Sequence, residues 1–276
     1  MNDRDGRPSG YREVPPPAHL RDQIECFWHR DAGATRSDGW VIPDGCVDII
    51  WSNGIPPFVA GPATVPTRAH LNGGTEVTGV RFRPGVANRV LGVDAWELLN
   101  QDVPLRAMWP HGRAARWEDT MSRPVLAEKL DGVAQLIAAR LSASDEHDPI
   151  VGRIVAWIAR HPRGDLKEIA QSSGLSERQI RRRFHQTVGY GPKTLQRVLR
   201  MQRLLWLASM DAQQIPSLTR LAFAAGYADQ PHMTREVVAL TGATPRQLLH
   251  GSRRGSAVSE LFKTTLHENG TLTLPE

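Results

Sequence analysis

Arg178, Arg181, Arg182 and His185 lie three and four residues apart in the run SERQIRRRFHQ, the spacing that brings side chains onto one face of a helix. Ile180 and Phe184, also four apart, take the opposite face, so the basic residues point outward. Four like-charged or titratable groups on one exposed face repel one another unless an anion lies opposite. A B-DNA major groove admits such a helix, and a guanidinium fork matches the acceptor pair on guanine. The plainer reading is a solvated charged face, and the elements around the run must decide between the two.

Those elements have the grammar of a helix-turn-helix. Asp165 offers an N-cap to a helix carrying Leu166, Ile169 and Ala170, with Glu168 placed to complete a capping box and Gly174 to end it. Ser176 and Gln179 form a second capping-box pair, so the basic helix starts at Glu177. Upstream, Asp148 and Pro149 are an N-cap and first-turn proline for a helix with Ile150, Ile154, Trp157 and Ile158 inward.

The pattern then repeats. Leu166, Ile169, Ala170 and Gly174 return as Leu218, Leu221, Ala222 and Gly226, each offset by 52, and the closing Gly189-Tyr190-Gly191-Pro192 returns as Gly242-Ala243-Thr244-Pro245. In the second copy Asp229 is the N-cap, and Gln230, Pro231, His232 and Arg235 occupy the first turns. Between the copies Pro192 opens a long helix to about Ser209, with Leu195, Val198, Leu199, Leu205 and Ala208 inward and Lys193, Arg197, Arg200 and Arg203 elsewhere. At 1.5 Å per residue that helix would hold the two units roughly 25 to 30 Å apart, close to one DNA turn of about 34 Å.

Charge divides the chain in the same way. Asp148 to Arg254 contains 17 Lys and Arg against 7 Asp and Glu, whereas the rest has 17 against 22, so the net +5 conceals a basic C-terminal half and an acidic remainder. That asymmetry is expected of a nucleic-acid-binding domain joined to something else. The 276 residues suit about two domains. Two cysteines, Cys26 and Cys46, and the absence of any apolar run of membrane-span or signal-peptide length place the protein in the cytoplasm with reduced thiols.

Met1 to Gly10 reads as a disordered leader, and His19 to Trp28 as a short helix or strand. WVIPDGCVDIIWS, PPFVAGP and EVTGVRFRPG read as strands, with Val47, Ile49 and Trp51 alternating with Asp48, Ile50 and Ser52. From Pro84 the pattern turns helical, and Leu126, Leu130, Val133, Ile137 and Leu141 form one stripe of a helix that Pro124 can start. The stripe has to be buried, either against a second copy in a homodimer or against its own N-terminal domain. The expected fold is α+β: a small mostly-β sensing or dimerisation domain over 11–110, a helical linker over 111–147, an all-α domain over 148–254 with two helix-turn-helix units joined by a long helix, and a tail over 255–276.

At this point the chain resembles the AraC/XylS family of bacterial transcription regulators. The likeness is carried by LKEIAQSSGLSERQIRRRF, GYGPK, the long helix, LTRLAFAAGYADQPHMTRE and TGATPRQLL, about the last hundred residues. It implies that Arg178, Arg181, Arg182 and His185 of the first unit, and Gln230, His232 and Arg235 of the second, meet bases and phosphates; Lys193 at the head of the long helix joins this set. Met233 and Val237 stand where the family usually has aromatic residues, and Leu195 where a Tyr is common. IPDGCVDIIW and GVRFRPGVANRVLG resemble the uncharacterised β-rich domain that precedes some of these DNA-binding halves. The partners implied are duplex DNA, RNA polymerase and a small-molecule effector. The alternative is a constitutive regulator whose N-terminal domain only oligomerises or contacts the polymerase.

For an effector, Trp40, Asp44, Cys46, Asp48, Trp51 and Phe82 supply polar groups beside aromatic walls, although PDG is also a plain turn signal and Asp48 a plain strand-end residue. Cys26, His29, Asp44, Cys46, Asp48 and His70 include no pair with the spacings of structural zinc ligands, so no metal is expected. No P-loop, dinucleotide glycine motif, nucleophile elbow or reactive Pro-Cys-His segment occurs, and neither a cofactor nor an enzymatic activity is expected. The fragment from Asp148 to Arg254 is expected to fold alone and shift duplex DNA in an electrophoretic assay while the N-terminal fragment does not; the reverse result would overturn the assignment.

Overall fold

The computed structural model describes residues 10–33, 36–52, 54–144, 148–210 and 217–253. The expected leader before Gly10, the tail 255–276 and the middle of the boundary segment, 145–147, lie outside the described residues.

Among the described residues eight strands come first: β1 Gly10–Val14, β2 Ile24–Asp31, β3 Ser37–Val41, β4 Val47–Ser52, β5 Ile55–Ala60, β6 Thr67–Leu71, β7 Glu76–Phe82 and β8 Asp102–Pro104. Six form an antiparallel sheet in the order β1-β2-β7-β4-β5-β8, and β3 pairs with β6 in a separate ribbon. The stretch from His19 to Trp28 resolves into a 3₁₀ turn, Ala18–Leu20, followed by β2. Pro56 and Pro57 sit in β5 where its register with β4 shifts, so their missing N–H groups cost no ladder bond in the regular part.

Alternation along the strands gives the sheet two unlike faces. Val47, Ile49, Trp51, Val80 and Phe82 face helices, in one cluster with Val90, Leu91, Trp117, Val133 and Ile137. Cys26, Trp28, Ile50 and Val77 face the other way and pack with Leu71 and Ala69 of the ribbon. Gly79 lies under the Trp28 indole, which would overlap any Cβ placed there.

The helices that cover the first face are α1 Ala87–Leu91, a 3₁₀ turn Ala95–Leu98, α2 Leu105–Met108, α3 His111–Met121 and α4 Leu126–Ser142. Pro124 stands before Val125, the N-cap of α4, rather than inside the helix. Leu130, Val133, Ala134 and Ile137 are buried in the N-terminal domain's own cluster, with Leu126 and Leu141 packed at its edge. The apolar stripe of α4 is therefore satisfied within its own chain and gives no ground for inferring a second copy. Residues 111–142 belong to the N-terminal core rather than to a free-standing linker.

Among the described residues seven helices follow: α5 Pro149–Arg160, α6 Leu166–Ser173, α7 Glu177–Val188, α8 Pro192–Met210, α9 Leu218–Ala225, α10 Gln230–Thr241 and α11 Pro245–Arg253. Two consequences can be measured by denaturant unfolding of the full chain. Ile137→Ala should cost about 2–5 kcal/mol as a buried large-to-small change, and Gly79→Ala about 1–3 kcal/mol by forcing Trp28 off its place.

Candidate nucleic-acid interface

Asp165 caps α6 by accepting the Lys167 N–H at 3.0 Å, and no bond from Glu168 closes the expected capping box. Gly174, at φ +67, ends α6 in the left-handed conformation that glycine tolerates. Ser176 and Gln179 do form a capping box, Gln179 N–H donating to Ser176 Oγ at 3.3 Å and Ser176 N–H to Gln179 Oε1 at 2.9 Å. The basic helix α7 thus begins where the sequence places it. Ile180 and Phe184 anchor it in a core with Val151, Ile154, Ala170 and Leu195. Arg178, Arg181, Arg182 and His185 are exposed, as is Lys193 on α8.

The third arginine of the RRR run behaves differently. Arg183 is half-buried and its Nη1 contacts Asp148 Oδ2 at 2.9 Å, while Asp148 Oδ1 accepts the Ile150 and Val151 N–H groups as the N-cap of α5. Arg183 therefore fastens α7 to the helix behind it. Among the described residues no ion pair holds Arg178, Arg181 or Arg182.

The second unit repeats the backbone plan. The α9 helix ends at left-handed Gly226, and Asp229 caps α10 by accepting the His232 N–H at 2.6 Å. Its surface chemistry is largely turned inward. His232 Nδ1 takes the Ala228 N–H at 3.4 Å, its Nε2 reaches Glu236 Oε1 at 3.2 Å, and its ring meets Tyr227 edge-on. Glu236 also receives Arg200 at 2.9 Å and Arg197 at 3.4 Å, both from α8. Gln230 is half-buried and accepts from Thr219 Oγ1 at 3.0 Å. Of the three residues expected to face DNA here, Arg235 is the exposed one. Met233 and Val237 are fully buried, and these aliphatic side chains occupy the core with Leu221, Tyr227 and Leu248.

One residue that the sequence pattern did not single out joins the two units. Arg163, in the loop between α5 and α6, donates through Nη2 to the carbonyls of Phe223 at 2.8 Å and Tyr227 at 3.2 Å and stacks on the Phe223 ring. No spacing rule identifies such a residue, because its acceptors lie 60 and 64 residues away in sequence.

The six candidate effector residues do not converge. Trp51 and Phe82 are core residues on the helix-covered face. Trp40 lies on the ribbon, exposed beneath the Arg68 guanidinium at 5.1 Å. Asp44, Cys46 and Asp48 stay together on the other side of the sheet, gathered around Arg81. Arg81 donates to both oxygens of Asp48 at 3.1 and 3.0 Å and lies 3.5 Å from Asp44, and the Trp28 indole donates to Asp48 at 2.8 Å. Burial raises the pKa of Asp48 against the pull of Arg81, while Asp48 and Asp44 keep Arg81 protonated despite its own burial. Both cysteines are free and buried, and burial pushes their thiols up. Among the described residues no cluster of three potential metal ligands occurs, and no helix is long and apolar enough to cross a membrane.

Residues 12–104 match a domain of unknown function (DUF6597), and residues 169–251 match a helix-turn-helix domain. The chain carries an AraC-type helix-turn-helix domain behind a DUF6597 domain. None of the curated proteins matches it. Among solved structures, an apo variant of ToxT from Vibrio cholerae overlaps at 11% identity and a TM-score of 0.40, covering 81% of this chain and 97% of that one. A further crystal form of ToxT overlaps at 10% identity and a TM-score of 0.40 over 88% and 95% of the two chains. ToxT bound to an unsaturated fatty acid gives 10% identity and a TM-score of 0.40 over 81% and 97%. These are distant likenesses, and the assignment rests on the two domain matches and the repeated helix pairs.

In this AraC-type domain, Arg183→Ala should lower stability by roughly 0.5–1 kcal/mol, the value of a partly exposed ion pair. Asp148→Ala should cost more, because it also removes a helix cap worth about 1 kcal/mol. A double-mutant cycle followed by thermal unfolding checks both.

Proposed function

We propose that the protein is a sequence-specific transcription regulator that sets α7 and α10 into successive major grooves on one side of duplex DNA, with α7 supplying most of the affinity. The observation that carries this reading is the set of exposed basic side chains on α7, Arg178, Arg181 and Arg182, unspent in ion pairs among the described residues. On α10 the equivalent positions are largely occupied by contacts within the unit, which leaves Arg235. The α8 helix, 19 residues long, spans about 28 Å at 1.5 Å per residue, a separation compatible with grooves one turn apart.

Arg182→Ala should therefore weaken binding to a selected duplex more than His232→Ala. If Arg182 reads a guanine, it should relax specificity at one position by about 1–3 kcal/mol. If it meets a phosphate, the log–log salt slope should fall by about 0.9. Titrations of both folded variants against selected and scrambled duplexes at several salt concentrations distinguish these outcomes, and unchanged affinity for Arg182→Ala would reduce α7 to a solvated face.

For the N-terminal domain two readings stand. Control by a small molecule is supported by the retained polar group of Asp44, Cys46, Asp48 and Arg81. A domain that acts without an effector is supported by its direct packing against α8, where Gln202 Nε2 donates to the Pro43 carbonyl at 2.7 Å. A thermal-shift screen separates them, since a ligand at 100 times its Kd adds about 2.7 kcal/mol.

A further inference from the structure

The N-terminal domain touches both helix-turn-helix units, at two separate places. On the first unit, Leu99 packs into the cluster of Ile154, Phe184 and Val188. Gly189, the C-cap of α7, lies so close to Pro62 and Ala95 that a Cβ would stand 2.5 Å from Pro62 Cγ and 3.0 Å from the Ala95 carbonyl oxygen. On the second unit, Ile42 joins the cluster of Val198, Met201, Leu204, Leu221 and Met233. Next to it the buried Gln202 makes its 2.7 Å bond to Pro43.

Segment 42–45 thus lies along α8 from Gln202 back to Leu195, about 10 Å of helix. Gly45 closes this approach at φ +89; a Cβ there would be 3.1 Å from Leu195 Cδ1, so both the conformation and the space call for glycine. The segment is held from the other side as well. Asp44 accepts the Cys46 N–H at 2.9 Å and pairs with Arg81, which grips Asp48 inside the sheet. A short loop tied at both ends to packed cores cannot move without moving one of them.

Docking in this manner leaves the DNA-facing side chains uncovered: Arg178, Arg181, Arg182, His185, Lys193 and Arg235 are all exposed with the N-terminal domain in place. The contact is therefore no occluding lid. The α8 helix and Arg163 already join the units, but Arg163 works from an exposed position, and a single helix bends at modest cost. A third body packed on both units closes the linkage.

We propose that the N-terminal domain is a brace that fixes the relative placement of the two recognition helices, with Ile42 and Gln202 as its positioning residues on the second unit. The inference rests on the two-unit DNA reading above. It gives the N-terminal domain a part in operator recognition that requires no contact with DNA.

The test uses the full chain and a duplex selected by it from a random library, then the same duplex with one, two or three base pairs inserted between the half-sites, or with the second half-site scrambled. Each inserted pair shifts and rotates one half-site against the other by about a tenth of a turn. The wild-type chain should lose tenfold or more on insertion of two or three pairs. Gln202→Met, which removes the donor to Pro43, and Ile42→Ala, which empties the apolar contact, should cut that penalty to threefold or less. Both should bind the duplex with a scrambled second half-site within twofold of wild type, with native far-UV circular dichroism as the folding control. Two variants from opposite sides of the contact guard against either one failing to fold. Folded variants that keep the wild-type spacing profile would overturn the brace and leave the DNA reading intact. A wild-type chain indifferent to both insertion and scrambling would remove the two-unit reading, and the brace with it.

Discussion

Helix α8 is buried in two cores at once, and the architecture of the DNA-binding half depends on that shared burial. Its first turns put Leu195 into the core of α5, α6 and α7, and its later turns put Val198, Met201 and Leu204 into the core of α9, α10 and α11. Each fully buried aliphatic side chain contributes about 1.5–3 kcal/mol, so neither half of the helix can leave its core cheaply. Because the helix is continuous, its 19 residues set the span between the units, about 28 Å at 1.5 Å per residue. Their relative orientation depends also on whatever else packs on both of them.

The polar side of the same half is a partition of arginines into engaged and unengaged ones. Arg183 is engaged with a helix cap, Arg197 and Arg200 with Glu236, and Arg163 with two carbonyls at the C-terminus of α9. Each aligns one helix against another. Arg178, Arg181 and Arg182 are left on an exposed face, where an anion placed opposite would relieve their mutual repulsion. Neighbours in one RRR triplet thus have opposite roles, one holding the helix in place and the others facing outward.

The N-terminal half contains a different electrostatic arrangement. Arg81 and Asp48 are charged groups taken into a sheet interior, with Asp44 beside them on the loop, a choice that usually adds little stability compared with apolar residues of the same volume. Here the cluster ties the loop that carries Ile42 and Pro43 to the strands behind it. Its position at the junction with α8 gives the buried charges a role in holding that loop in one conformation.

The sequence alone determined the helix-turn-helix repeat, its capping residues, the faces of α7 and the alternation of β4, because these depend on neighbours within a few residues in the chain. The 3.6-residue and 2-residue periods, the Ser176–Gln179 box and the turn glycines are all local devices. What only the tertiary structure decided are the pairings between distant segments. These include the α4 stripe covered by its own domain, Arg183 claimed by Asp148, His232 turned toward Glu236, and the separation of Trp51 and Phe82 from Asp44 and Asp48 by the thickness of a sheet. No periodicity encodes them, since whether an exposed-looking polar or apolar side chain is free depends on which remote surface folds over it. The placement of Pro43 against Gln202, 159 residues later, is of that kind.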